Sequence, residues 1–172
     1  RRSTPPGEHR PAMLDEVLSI LAPKPGEIAA DCTLGNAGHA VAMVERLGPT
    51  GRLIGLDLDA ENLPKARERL AAIGFPFSIH QSNFAALPKI LVAEQLAGVD
   101  LVLADLGMSS MHVDDADRGF SYVRDGPLDM RMDRSRGRTA AEILATISEV
   151  DLAQALRELA DEPHAERIAQ AL

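Results

Sequence analysis

Chemistry in this chain is concentrated where small or acidic residues follow apolar runs. The stretch "DCTLGNAGHA", residues 31–40, sets Gly35 and Gly38 either side of Ala37, between an apolar run and an amphipathic one. Small residues at such a junction let backbone N–H groups and the next helix N-terminus approach a ligand closely. The spacing departs from the dinucleotide fingerprint G-x-G-x-x-G, because the third glycine position falls at Ala40 and the bulky His39 intervenes. That weighs against a nicotinamide cofactor without excluding it, and a tight turn with no ligand is the plain alternative. Asp57 closes the next apolar run, where a carboxylate can accept both hydroxyls of an adenosine ribose. Its other reading is a helix cap, although Asp59 is better placed for that task. Phe84 in "SNF" can lie against an adenine face or simply fill the core. Asp105 in "LADLGMSS" can face a cleft or bond loop amides.

The elements that must position these groups alternate regularly. "PAMLDEVLSILA" carries a helical stripe at Met13, Leu14, Val17, Leu18 and Leu21, and "PKPG" stops it. "EIAADCT", "GRLIGLDLD", "FSIHQSN" and "VDLVLADLG" read as strands. Between them lie helices over "AGHAVAMVERLG", ending at Gly48, over "AENLPKARERLAAIG", with Pro64 near its start, and from Pro88 to Leu96. Near-continuous apolar strands separated by amphipathic helices predict an α/β, doubly wound parallel sheet with ligands at the carboxyl ends of its strands. Four successive strand ends then each present a group suited to one adenosine-bearing ligand. A pocket with neither a phosphate-binding Lys nor the third Gly suits S-adenosylmethionine better than NAD or ATP.

The regular pattern breaks after Leu106. Residues 107–137 form a long loop without sustained periodicity, rich in Asp and Arg and carrying Phe120 and Tyr122, which predicts an ordered, salt-bridged loop at the site. "TAAEILATI", "SEVDLAQALRELA" (capped by Ser148) and "PHAERIAQAL" read as helices. The expected organisation is a polar, Pro-rich arm over 1–10, a core over 11–137 and the beginning of a helical domain over 138–172.

Composition narrows the classes. The net charge of −8 argues against broad capture of nucleic acid or of an anionic membrane, and aromatics are only 3%, against a large stacking platform. Cys32 is the single cysteine, so no intrachain disulfide or Cys-x-x-Cys metal site can form, and the scattered histidines predict no metal site. No apolar run approaches the ~20 residues of a membrane span. The chain starts "RRSTPPGEHRP" without Met, which suggests a trimmed start. A cytoplasmic setting is expected.

With these residues in hand, the chain resembles the RsmH (MraW) family, bacterial enzymes that methylate the exocyclic amine of a decoding-site cytosine in small-subunit ribosomal RNA. "HRPAMLDEVL", "DCTLGNAGH", "GRLIGLDLD", "VDLVLADLGMSS" and above all "RGFSYVRDGPLDMRMDRSRG", residues 118–137, carry the likeness. It implies a Rossmann-like S-adenosylmethionine-dependent methyltransferase fold, of which the first four strands are present, with the start of an inserted helical domain. It implies a cofactor site of Gly35, Ala37, Gly38, His39, Asp57, Phe84, Asp105 and His112. The family usually has two glycines where Ala37-Gly38 stand, an aromatic in place of Leu34 and Gln in place of His112. The methyl of Ala37 is harmless only if its φ is not positive.

The resemblance implies ribosomal RNA and the small subunit as partners and no membrane. Family members run well past Leu172, and four strands alone leave an open edge that invites pairing, including with a second copy. The acceptor for a cytosine amine would be Asp105 or a backbone carbonyl in "LGMSS", with Ser109 and Ser110 orienting the base and Phe120 or Tyr122 stacking on it. The nearby arginines can contact phosphates or be consumed by neighbouring aspartates. A non-catalytic cofactor-binding or assembly module, and a nicotinamide-dependent enzyme, are the competing readings.

Overall fold

A computed structural model describes residues 11–172; the arm expected at 1–10 lies outside the described residues. The first of two compact units, ending at Gly107, contains α1 (Leu14–Leu21), β1 (Ile28–Asp31), α2 (Gly38–Leu47), β2 (Arg52–Asp57), α3 (Leu63–Ala71), β3 (Phe77–Gln81), α4 (Leu87–Ala93) and β4 (Leu101–Leu103). The strands form one parallel sheet in the order β3-β2-β1-β4. β1 is therefore flanked on both sides, and its end is the point where the chain's direction across the sheet reverses, as in other doubly wound sheets.

The alternation of side chains along each strand explains why both faces are covered. On one face Ala29 and Leu53 join Leu18, Met43, Val44, Leu47, Ala66 and Leu70 from α1, α2 and α3. On the other, Ile54 and Leu56 pack on Ile90 of α4 with Leu87 and Leu91 around them. Glu94, just past α4, bonds both Arg52 of β2 at 2.5 Å and His80 of β3 at 2.6 Å, tying that helix to two strands. Gly48 ends α2 in the left-handed region at φ 68°, and Pro64 occupies the first turn of α3.

β4 is shorter than "VDLVLADLG" suggests, because the N–H of Asp105 leaves the ladder and donates to the hydroxyl of Thr33. Asp59 does not cap α3; its carboxylate accepts the N–H of Glu61 in the turn before that helix, whose N-cap is Asn62. Among the described residues no helix is long and apolar enough to cross a membrane.

The second unit, Met108–Leu172, holds α5 (Ser110–Asp114), a 3-10 turn over Ala116–Arg118, α6 (Ala140–Leu144), α7 (Glu149–Ala160) and α8 (Ala165–Ala171). The division thus falls at Gly107, upstream of the 137/138 boundary that the sequence suggests, and the long loop packs with the helices that follow it. Its irregular backbone is pinned from inside. Arg118 is buried and donates Nη2 to the carbonyls of Arg131 and Met132, while its own carbonyl accepts the N–H of Met130. A side chain at Gly126 would sit 2.1 Å from the carbonyl oxygen of Ala116, so the loop closes only with glycine there. Thr139 and Glu142 form a reciprocal cap on α6, and the Ser148 side chain caps α7.

At Gly51 an added Cβ would meet the carbonyl oxygens of Leu47 and Glu27 at 2.7 and 2.8 Å, both backbone atoms that cannot swing away. Gly51→Ala is expected to destabilise the fold by about 1–3 kcal/mol, the usual cost of overpacking. Urea unfolding of the variant beside the wild type checks this, and an unchanged midpoint would contradict it.

Candidate functional site

The turn after β1 is bonded alternately to the two strands that flank it. Cys32 donates its N–H to the carbonyl of Leu103 in β4 at 2.8 Å, and Leu34 donates to the carbonyl of Leu56 in β2 at 2.9 Å. Between them, the Thr33 hydroxyl accepts the N–H of Asp105 at 2.8 Å. Gly35 donates to the Asp57 carboxylate at 2.5 Å. Leu34, buried, lies over Gly55, where a side chain on β2 would collide with it. Gly35, Asp57 and Asp105 are thereby brought to one edge of the sheet, each on a different strand end.

The same local device shapes several of these ends. Asp31 accepts the N–H of Thr33, Asp57 that of Asp59, and Asn83 that of Ala85, each two residues on. A short carboxylate or amide bonding the backbone two residues ahead turns the chain out of the strand. Phe84 follows Asn83 in a 3-10 turn and is 49% exposed, so it stands at the mouth of β3 rather than in the core. Asp105 is exposed.

Gly38 opens α2, whose N-cap, Ala37, supplies no side-chain cap. Ala37 is fully buried and left-handed at φ 61°, the conformation in which an alanine is strained. The His39 ring is buried and its Nε2 is bonded to the carbonyl of Ala12 at 2.9 Å; Pro11 packs on Gly38 so closely that a Cβ there would come within 2.5 Å of its ring. The segment before α1 therefore braces the start of α2, and what His39 can offer a ligand is its backbone rather than its ring. From α3, Arg69 donates to the carbonyl of Asn36 at 2.7 Å, bracing the turn from its outer side.

Asp31 and Thr33 are the residues that motif reading passed over. Asp31 is 1% exposed at the end of β1, and burial pushes its carboxyl from an ordinary 3.8 up to about 6, against the opposing pull of the Thr33 bonds and of nearby His39. The Asp-x-Thr spacing was a usable signal, since it is the pattern of a side chain bonding two residues ahead. Burial likewise raises the Cys32 thiol, which suits packing rather than nucleophilic attack.

Ser109, Ser110 and His112 belong to the second unit. Ser109 precedes α5 and Ser110 begins it. The buried His112 ring accepts the Ser109 N–H at Nδ1, 3.1 Å away, and lies 5.8 Å from the Phe120 ring in a tilted arrangement. Tyr122 is 94% exposed. The arginines between Arg118 and Arg138 are engaged internally. Arg131 grips Asp129 with two bonds of 2.8 Å and holds that carboxyl well below its usual range. Arg136 pairs with Asp133 at 2.6 Å, Arg134 reaches Asp129 at 4.0 Å, and Arg124 pairs with Asp114 at 3.8 Å. Arg138 bonds the Glu142 carbonyl and the Thr146 hydroxyl. Among the described residues no cluster of His, Cys, Asp and Glu is arranged to hold a metal ion.

The sequence profile of the MraW methylase family matches residues 7–172. A protein named ribosomal RNA small subunit methyltransferase H from Syntrophotalea carbinolica is 45% identical over 163 residues, covering 95% of this chain and 52% of that protein. Its namesake from Halorhodospira halophila is 48% identical over 165 residues, covering 95% and 51%. That from Chromobacterium violaceum is 45% identical over 170 residues, covering 99% and 53%. The chain spans about half the length of the curated relatives it matches.

Two outcomes follow from the strain and the burial at this turn. A carboxyl whose folded pKa is raised stabilises the fold at low pH and loses that contribution as pH climbs through about 6. Wild type should therefore gain stability relative to Asp31→Asn between pH 7 and 4, by roughly 2 kcal/mol, since the full 1.36 kcal/mol per unit is reached only below the unfolded pKa; parallel curves from urea unfolding at each pH would refute it. Ala37→Gly should raise the unfolding free energy by about 0.5–1 kcal/mol, the relief of a left-handed alanine less the backbone entropy of glycine. Thermal denaturation reads this directly, and a lowered melting temperature would count against it.

Proposed function

We propose a function from one established premise: the chain belongs to the MraW methylase family. It serves S-adenosylmethionine-dependent methylation of the exocyclic N4 amine of a cytosine in small-subunit ribosomal RNA. The observation that carries this reading is the bond from Gly35 to Asp57, which sets a small-residue turn and a strand-end carboxylate against each other. That pairing is what an adenosine-bearing ligand needs, with backbone N–H groups on one side and a hydroxyl acceptor on the other. An ionised carboxylate accepts up to about four hydrogen bonds, so holding the turn and receiving ribose hydroxyls are compatible tasks for Asp57. Half-exposed Phe84 supplies a face for the adenine, and the α2 N-terminus, with no side-chain cap, supplies donors and a favourable dipole for a carboxylate. Gly35, Ala37, Gly38 and the backbone of His39 form that wall.

S-adenosylmethionine supplies an activated methyl group with a good leaving group, so the chain's own task is positioning. A cytosine amine is a weak nucleophile because its lone pair is delocalised into the ring. Asp105, exposed at the end of β4 with its backbone held by Thr33, accepts a hydrogen bond from the amine and takes its proton. The family resemblance gives Ser109 and Ser110 a role toward the base and His112 one toward the cofactor; within the second unit the His112 ring is held through Nδ1 by the Ser109 N–H. Tyr122, exposed at 94%, offers the ring on which an unstacked base can lie, while Phe120 is packed on His112. Ribosomal RNA and the small subunit are the partners in this reading, the cytoplasm is the setting, and the open edge of β4 can be covered by a second copy.

Calorimetric titration with S-adenosylmethionine, with NAD as control, tests the proposal. Selective binding of S-adenosylmethionine is expected, and Asp57→Ala should lower its affinity at least tenfold while circular dichroism shows a folded chain. Binding of NAD instead, of neither ligand, or with unchanged affinity in the variant, would overturn it.

A further inference from the structure

We propose that Thr33 is a positioning residue that holds the backbone of Asp105 at the reacting edge of the sheet, so that β1 and β4 present their strand-end groups in one fixed relation. This rests on the methyltransferase reading above for its consequence, but not for its geometry. After Cys32 donates to Leu103, a continued parallel ladder would send the Asp105 N–H to the Cys32 carbonyl. It goes instead to the Thr33 Oγ1, 2.8 Å away, and β4 ends at Leu103. A hydroxyl has one proton to give. In Thr33 the remaining contact of Oγ1 is the Asp31 Oδ1 at 3.5 Å, and the Thr33 N–H donates to that same oxygen at 3.1 Å. The direction of the relay is thereby set: Thr33 gives its proton toward buried Asp31 and receives the N–H of Asp105.

The buried carboxylate has a purpose in this arrangement. It fixes both the backbone and the rotamer of Thr33 from below, so the hydroxyl meets Asp105 already oriented and little freedom is lost when a ligand arrives. A strand end that turned out of the ladder without such an acceptor would leave the Asp105 backbone to solvent, and its carboxylate with no set direction. Thr33 touches neither cofactor nor base in this scheme and acts only through Asp105.

The test uses the 172-residue chain and two variants, Thr33→Val, which keeps the branched shape and loses the hydroxyl, and Thr33→Ser, which keeps the hydroxyl. Amide hydrogen exchange at Asp105, followed by NMR without ligand, should show protection in wild type and Thr33→Ser and at least a tenfold loss in Thr33→Val. Because the cofactor site that the family resemblance implies includes Asp105, S-adenosylmethionine affinity should fall about tenfold in Thr33→Val and stay within about twofold in Thr33→Ser, a rescue that a general packing defect would not give. Unchanged exchange in Thr33→Val would overturn the strut. Altered exchange with unchanged affinity would overturn its functional role. Wild type that binds no S-adenosylmethionine would sink the methyltransferase reading and the functional role together, while the exchange contrast would still decide the strut.

Discussion

The turn that leaves β1 cannot move independently of either neighbour, because its successive residues are bonded to opposite sides. Cys32 and Thr33 hold β4 and the residues after it; Leu34 and Gly35 hold β2 and its terminal carboxylate. β1 has a strand on each side, so only its turn can reach both. The relative positions of Gly35, Asp57 and Asp105 depend on that stitching. Gly35, Asp57 and Asp105 lie far apart in the chain and are placed within one constellation by bonds whose donors are mostly backbone amides, which carry no rotamer freedom to lose.

The arrangement carries costs that local packing offsets. A buried carboxylate at Asp31 is unfavourable in its charged form, and Ala37 sits in a conformation natural to glycine. Strain of this kind persists only where the surroundings over-determine the backbone. Here they do: Arg69 holds the Asn36 carbonyl, the Ala37 N–H donates to Leu34 at 2.7 Å, Pro11 covers Gly38 and His39 bonds Ala12. The left-handed φ of 61° at Ala37 is one that glycine adopts without strain.

The second unit solves a different problem. Its loop has few apolar residues to bury, so it is ordered by ion pairs and by backbone contacts that only glycine permits, as at Gly126. Buried Arg118 acts as an internal spacer, satisfying carbonyls that no helix or strand would otherwise engage. The apolar surface left outside, Tyr122 at 94% and Val123 at 77% exposed, stands between the anchored ends of that loop. Order without a core of its own leaves the aromatic outside and supported.

The order of helices and strands outside residues 107–137, where α5 escaped notice, the parallel sheet, the cap at Ser148 and the stop at Gly48 were legible in the sequence, because each follows from periodicity or from one residue's backbone preference. The family, too, was legible from contiguous motifs. What tertiary structure decided were relations between distant residues. Nothing local says that Gly35 bonds Asp57, that the His39 ring turns back to Ala12, or that Thr33 rather than a ladder carbonyl receives Asp105. Nor could composition divide the arginines between solvent and aspartate, since that depends on which chains the loop brings within reach of one another. Sequence sets what each residue prefers on its own; partnership is settled only when the chain has closed, because hydrogen bonds and ion pairs are functions of distance in space and not of spacing along the chain.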